Sequence, residues 1–419
     1  MQDNRPDRRW TFFSTIDAPI LVVLVLLVAI GCLMIYSTTF DWSYQDFGSD
    51  TLIFMQHVRN LIIGLIVFVP LAIIDYRIWK RLAIPILLIT VATLIAVLLF
   101  GDGVFGAQRS FLNGSYQPGE VAELTVTIYL AAWLSSKKIP QVRSIFGGLL
   151  PFSLLLGIIG VLVLLQPDLS TAATIFITAG LMFFLAGANV MHLGSVLALM
   201  GVSGWVVSQR LSYAQDRVGS YVLGLTDLTQ TNYHAQQAII AFMNGGWTGR
   251  GLGQSLQKFG ALPAPHTDSI FAVIGEELGV LGAGFVILLF VVLVIRGLQI
   301  ARRATDPFGA LLASGVTLWI ITKALLNIAV MLNLVPSTGV ALPFISFGGS
   351  SLVTVLAGTA LVLSVARVSA LQHSPEARMS LAKGKANSGA RDDRSRGDGG
   401  TRVSGNRRRR SPVYPAAER

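Results

Sequence analysis

Ten long apolar runs divide the chain, at residues 19–36, 61–74, 82–100, 121–134, 147–165, 171–185, 190–207, 269–294, 308–332 and 351–368. A helix needs about twenty apolar residues to cross some 30 Å of hydrocarbon. The pattern therefore predicts an all-α, polytopic membrane protein of about ten transmembrane helices. The fourth run is the weakest, being short and interrupted by Glu123. A large polar loop, 208–268, separates the seventh run from the eighth. Within it, residues 235–243 (AQQAIIAFM) are apolar on one face at helical spacing, which predicts a helix lying on the membrane surface.

Charge orients this array. The basic clusters are Arg5, Arg8 and Arg9; Arg77, Lys80 and Arg81; Lys137, Lys138 and Arg143; Arg296, Arg302 and Arg303; and the arginines at 407–410. With ten spans every cluster falls on one side, and Lys/Arg excess marks the cytoplasmic side. Both termini are then cytoplasmic. The segments 40–59, 101–120, 166–170, 208–268 and 333–350 face outward. The connection after the sixth run is uncharged and carries no orientation signal.

Composition agrees. Of 419 residues, 53% are hydrophobic and 13% charged, where a soluble chain would carry roughly a quarter charged. The net charge of +10 does not mark a nucleic-acid binder: residues 371–419 hold twelve Lys/Arg against five Asp/Glu, or +7, and the rest is topological. The chain divides into a cytoplasmic N-terminus (1–16), a transmembrane domain (17–370) and a basic cytoplasmic tail (371–419) expected to be disordered. Its arginine run can touch anionic lipid, at about 1 kcal/mol per basic residue. Cys32 is the single cysteine, which excludes a disulfide framework or thiolate metal site. The first apolar run is long enough to span, so it reads as a membrane helix rather than a cleavable signal.

Four outward stretches are dense in Gly, Pro and polar side chains: GAQRSFLNGSYQPGEVAEL (106–124), LQPDLSTA (165–172), NGGWTGRGLGQSLQKFGALPAPHTDSIFAVIGEELG (244–279) and NIAVMLNLVPSTGVALPFISFGGSS (327–351). Irregular backbone at membrane depth is tolerated where it is buried in protein or lines a water-filled cavity. A concave outer vestibule follows. In these motifs, their order and their side of the membrane, the chain resembles the SEDS proteins (shape, elongation, division and sporulation; FtsW, RodA and SpoVE), over 17–367. The GQSLQK stretch (253–258) is slightly more FtsW-like.

The resemblance implies a peptidoglycan glycosyltransferase of the bacterial cytoplasmic (inner) membrane that polymerises lipid II for division or elongation. The 4-hydroxyl of an acceptor sugar attacks the anomeric carbon of a lipid-linked donor with inversion, and undecaprenyl pyrophosphate leaves. Implied partners are a class B penicillin-binding transpeptidase and other divisome or elongasome membrane proteins. A divalent cation, Mg²⁺ or Mn²⁺, shared between Asp268 and the pyrophosphate is compatible with this chemistry; no organic cofactor is expected.

Asp268, in Pro265-His266-Thr267-Asp268, matches the family's essential aspartate and is the candidate base. Partial desolvation at a water–lipid boundary makes a carboxylate a better base. An aspartate entering the eighth span is equally suited to cap its helix. His266 is a second candidate base or ligand. For the pyrophosphate the outer cations are Arg109, Arg210, Arg217, Arg250 and Lys258. A guanidinium fork fits phosphate oxygens, and Arg109, in the matched first motif, and Arg217, in the large loop, are favoured. Glu120, Asp168 and Ser350 complete the candidate substrate contacts.

Three charges lie inside spans. Glu276 falls about 80° around its helix from Asp268, and Lys323 lies about 15 Å deep against about 13 Å for Glu277. Intramembrane charges are usually paired or functional, so a Lys323–Glu276/Glu277 pair is expected. The chain departs from the family at Ser110, where tryptophan is common, at Glu123, where lysine is common, and at Ser170 and Ser269. Two rival readings are a lipid II transporter, which the midplane charges favour, and a non-catalytic scaffold for a partner synthase.

Overall fold

The computed structural model describes residues 17–373, apart from 105–106, 112–115, 193, 197, 199–200, 202–211 and 228–229. The expected N-terminal segment 1–16 and tail 374–419 lie outside the described residues, as does Arg210.

Helices dominate: α1 (Ala18–Phe47), α2 (Leu52–Ile73), α3 (Arg77–Phe100), α4 (Pro118–Ser135), α5 (Ile145–Leu164, opening with a π turn), α6 (Leu169–Leu185), α7 (Ser212–Gly224), α8 (Tyr233–Gly245), α9 (Ile270–Arg303), α10 (Pro307–Met331) and α11 (Gly349–His373). One small antiparallel ribbon, β1 (Asp102–Val104) with β2 (Ala107–Ser110), lies between α3 and α4 in this otherwise helical chain.

Several starts are set by short polar side chains that accept from otherwise unpaired amides. Asp17 takes Ile20 N at 3.3 Å, Asp168 takes Thr171 N at 3.0 Å and Asp306 takes Gly309 N at 2.9 Å. Seven described helices (α1, α2, α3, α5, α9, α10 and α11) are long and apolar enough to cross a membrane. The 18-residue α4 and 17-residue α6 occupy two further predicted positions. The seventh predicted run, 190–207, lies partly outside the described residues.

Helices α10 and α11 are largely buried, while α2 and α3 expose Ile62, Ile66, Ile84 and Leu88. That is the arrangement expected of inner helices ringed by lipid-facing ones. Around α10 pack α4, α6 and α9, and α9 also meets α1 and α8.

Helices overrun the apolar runs. α1 continues eleven residues past the predicted end at 36, to Phe47, and α2 begins at Leu52 rather than 61. The segment 40–59 expected as an outer loop is thus mostly helix. Polar residues end a hydropathy run without ending a helix. The expected surface helix exists as α8, but its Ala235, Ala238 and Ala241 face is buried and packs on α9.

α9 is broken at Gly279 (φ 69°, ψ −171°), a backbone region open essentially to glycine alone. The loop after α8 inserts there. Arg250 N and Gly251 N donate to the carbonyls of Glu276 and Glu277 at 3.0 Å, and Val280 N donates to Gly246 O at 2.9 Å. The break therefore leaves these backbone groups paired, as hydrocarbon surroundings require. A Cβ on Gly279 would overlap Gly249 N and Trp247 O. Gly279→Ala is expected to cost about 1–3 kcal/mol or more, read as a lower unfolding midpoint of the purified protein.

Candidate active site

One end of each of α1, α2, α4 and α11, together with α7 and the loops before α6, α9 and α11, encloses a cavity of 1520 Å³. Typical small-ligand pockets hold about 300–1,000 Å³, so this one has room for a substrate larger than a single sugar.

Asp268 lies on its wall, half-buried. Its backbone is held from several sides. Asn327 Nδ2 donates to Asp268 O at 2.7 Å, Ser346 Oγ to Thr267 O at 2.5 Å and Phe347 N to His266 O at 2.8 Å. Its side chain accepts from Thr267 Oγ1 at 3.1 Å. It does not cap α9: Ser269 occupies the cap position, and no side chain accepts from the first-turn amides. The capping alternative fails, and the carboxylate is left facing the cavity.

His266 lines the same wall, tilted over Trp42 (ring centroids 4.7 Å apart) with Phe347 at its edge (5.7 Å). Burial pushes its pKa down to about 4 against the opposing pull of Asp268, so the ring is neutral near pH 7. Its Nδ1 has no hydrogen-bond partner among the described residues.

Arg217, on α7, reaches the cavity and donates to Ser337 O at 3.1 Å. Ser350 also lines it, accepting from Gln117 N at 3.3 Å. Arg109 occupies a position on β2, and the neighbouring departure, Ser110, is buried against the cavity. Arg250 is exposed and away from the lining.

Asp168 serves the fold: its carboxylate accepts from Thr171 N, Thr171 Oγ1 and Ser170 Oγ at 2.6–3.0 Å and caps α6. It borders a 70 Å³ side chamber shared with Glu120, Glu123 and Lys323. Among the described residues, no three of His, Cys, Asp and Glu converge to hold a metal ion.

The intramembrane charges are paired differently from the sequence expectation. Lys323 meets Glu120 and, at 2.9 Å, Glu123, both on α4. Glu277 is paired with Lys258 at 2.7 Å and accepts from Ser37 at 2.8 Å. Glu276 accepts from Asn244 Nδ2, Ser255 Oγ and the amides of Leu256 and Gln257. Depth along a helix does not say which neighbour a face meets. Lys323 looks across at α4, and the two α9 carboxylates look toward the inserted loop and α1. Lys258, expected as a pyrophosphate contact, lines the cavity but is buried with its charge matched by Glu277.

Sequence reasoning missed Arg59, an exposed cation on the cavity wall, and the α1 residues Asp41, Trp42 and Gln45. Ser37, Asp41 and Gln45 recur at four-residue intervals, the helical spacing that would have extended α1.

A family model described as "Cell cycle protein", covering FtsW, RodA and SpoVE, matches residues 17–371. The chain belongs to the FtsW/RodA/SpoVE family. Among curated members it is similar to a probable peptidoglycan glycosyltransferase FtsW of Geobacter metallireducens, 34% identical over 83% of this chain and 94% of that one. It is also similar to the stage V sporulation protein E of Bacillus subtilis, 35% identical over 84% and 97%. Among solved structures it resembles a chain from a peptidoglycan synthase complex studied for coordination of polymerization and crosslinking (TM-score 0.68, 25% identity, 84% and 98% covered). The rod shape determining protein RodA of Thermus thermophilus matches at TM-score 0.63, 25% identity, with 84% and 97% covered. As an FtsW/RodA/SpoVE member the chain is a multi-pass membrane protein.

Proposed function

We infer that this protein is a peptidoglycan glycosyltransferase that polymerises lipid II in cell-wall synthesis. The observation that carries the reading is Asp268: a carboxylate at a helix start, on a segment whose backbone is held by α10 and by the loop before α11, that does not cap and instead faces a 1520 Å³ cavity. Asp268 accepts the proton of the acceptor 4-hydroxyl as the oxygen attacks the donor's anomeric carbon. The pyrophosphate leaves toward Arg217 and Arg59, whose guanidinium groups suit phosphate oxygens. Neutral His266, with its bare Nδ1, offers a contact to a sugar hydroxyl. A divalent ion at Asp268 would draw its remaining ligands from substrate oxygens and water, since carboxylate-plus-phosphate binding suits Mg²⁺.

In this reading the cavity opens to the outer face of the cytoplasmic membrane and both termini are cytoplasmic, supported by the one-sided Lys/Arg clusters. A class B penicillin-binding transpeptidase is the expected partner.

The test is purified protein, lipid II and Mg²⁺ or Mn²⁺, with strand polymer as the readout. Polymer from the wild type is expected. Transbilayer movement without polymer would identify a transporter, and neither activity, even with the partner present, would leave a scaffold. Arg217→Ala is expected to raise the KM for lipid II about tenfold, the loss of one charge-assisted contact. An unchanged KM would remove Arg217 from the site.

A further inference from the structure

His234 stands behind the cavity wall on α8, outside the lining residues, and is absent from the machinery described so far. Its Nε2 meets Ser269 Oγ in a close hydrogen bond. Ser269 Oγ also donates to Pro263 O at 2.6 Å. A hydroxyl has one hydrogen to give. That hydrogen is committed to Pro263, so Ser269 accepts from His234 and the imidazole carries its proton on Nε2.

Ser269 occupies the cap position of α9, where a serine hydroxyl ordinarily accepts from an amide two or three residues on. It does not, and neither does Asp268. The two side chains best suited to capping this helix are both diverted, Asp268 toward the cavity and Ser269 toward Pro263 and His234. Ser269 Oγ thus ties α8, the loop at Pro263 and the first turn of α9 together, next to Asp268. From the opposite side Asn327 Nδ2 bridges Asp268 O and Val340 O, each at 2.7 Å.

We propose that His234, acting through Ser269, is a positioning residue for Asp268. By holding the Ser269 hydroxyl off the helix end, it fixes the first turn of α9 in the orientation that presents the Asp268 carboxylate to the cavity. Without it, the first-turn amides draw Ser269 or Asp268 into an ordinary side-chain cap, and the base leaves the cavity. The charged groups facing His234 are Asp268 and, from α7, Arg217. Burial holds the His234 pKa below the usual histidine range, with Asp268 opposing and Arg217 reinforcing. The ring is therefore neutral near pH 7 and adds no charge beside the base. This inference rests on the reading of Asp268 as the base.

The test compares full-length wild type, His234→Ala, His234→Gln, Ser269→Ala and Asp268→Ala in lipid II polymerisation, with unfolding midpoints measured alongside. His234→Ala is expected to lower kcat about tenfold, the scale of a small misplacement of a catalytic group, with KM within about twofold because no substrate contact is removed. Ser269→Ala should match it. His234→Gln, whose amide can donate to Ser269, should recover most of the lost kcat. An unchanged kcat in His234→Ala would overturn the proposal, as would a His234→Gln variant as slow as His234→Ala. Polymer that survives Asp268→Ala would instead overturn the assignment of the base, and this inference with it.

Discussion

Asp268→Asn will leave a folded protein that makes no detectable strand polymer. A positioned general base contributes about 10²–10⁴-fold to a rate, and the carboxamide keeps the size of the side chain while losing its basicity. Stability should change little. The Asp268 carboxylate accepts one side-chain hydrogen bond among the described residues, from Thr267, and caps nothing. Substitutions away from caps, cores and buried networks usually fall within about 0.5 kcal/mol. A helix cap would give the reverse result, an active protein destabilised by about 1 kcal/mol. Lipid II polymerisation resolved by chain length, with a thermal unfolding curve on the same sample, separates the two. Polymer at wild-type rates from Asp268→Asn would end the assignment.

What was legible in the sequence follows from which signals are local. The apolar runs lie within or closely overlap helices wherever the structure describes them, because crossing hydrocarbon requires long uninterrupted apolar segments. Asp268, His266, Ser350 and Arg217 line one cavity from separate stretches of the chain; Arg217 stood out as a cation of the large polar loop, and the family's motifs carried the other three. Periodicity alone did not.

Helix ends were less legible. α1 and α2 run on through Ser37–Phe47 and Leu52–Arg59 with mixed polar and apolar faces, so a hydropathy threshold stops short of Trp42, Gln45 and Arg59. Partners of buried charges were least legible, since an azimuth depends on how each helix is rotated in the bundle. Glu123 stands where lysine is common in the family, a reversal of charge in the first motif. In the structure, Lys323 from α10 supplies the cation between Glu120 and Glu123. The departure is answered from another helix.

That cluster sets the second large effect, expected for Lys323→Met. Lys323 and Glu123 are 1% and 2% exposed, so neither can turn to water if its partner is lost. Glu123 also accepts from Trp319 Nε1 at 2.8 Å, and the Lys323 ammonium lies 5.8 Å from the Trp319 ring centroid. Methionine fills the space of the lysine stem but leaves two carboxylates facing each other without a cation. Removing one partner of a buried ion pair costs about 3–5 kcal/mol, and a large drop in the unfolding midpoint of the purified protein is expected. Polymerisation should fall as well, because Glu120 is on the wall of the main cavity. The exchange Glu123→Lys/Lys323→Glu keeps one ammonium between two carboxylates, with Lys at 123 one helical turn from Glu120. It should regain most of the lost stability, whereas a general disruption of the α4–α10 packing would leave the exchange as unstable as Lys323→Met. A Lys323→Met protein that unfolds at the wild-type midpoint would show that the cluster holds nothing together, and that Glu120 keeps its place at the cavity without it.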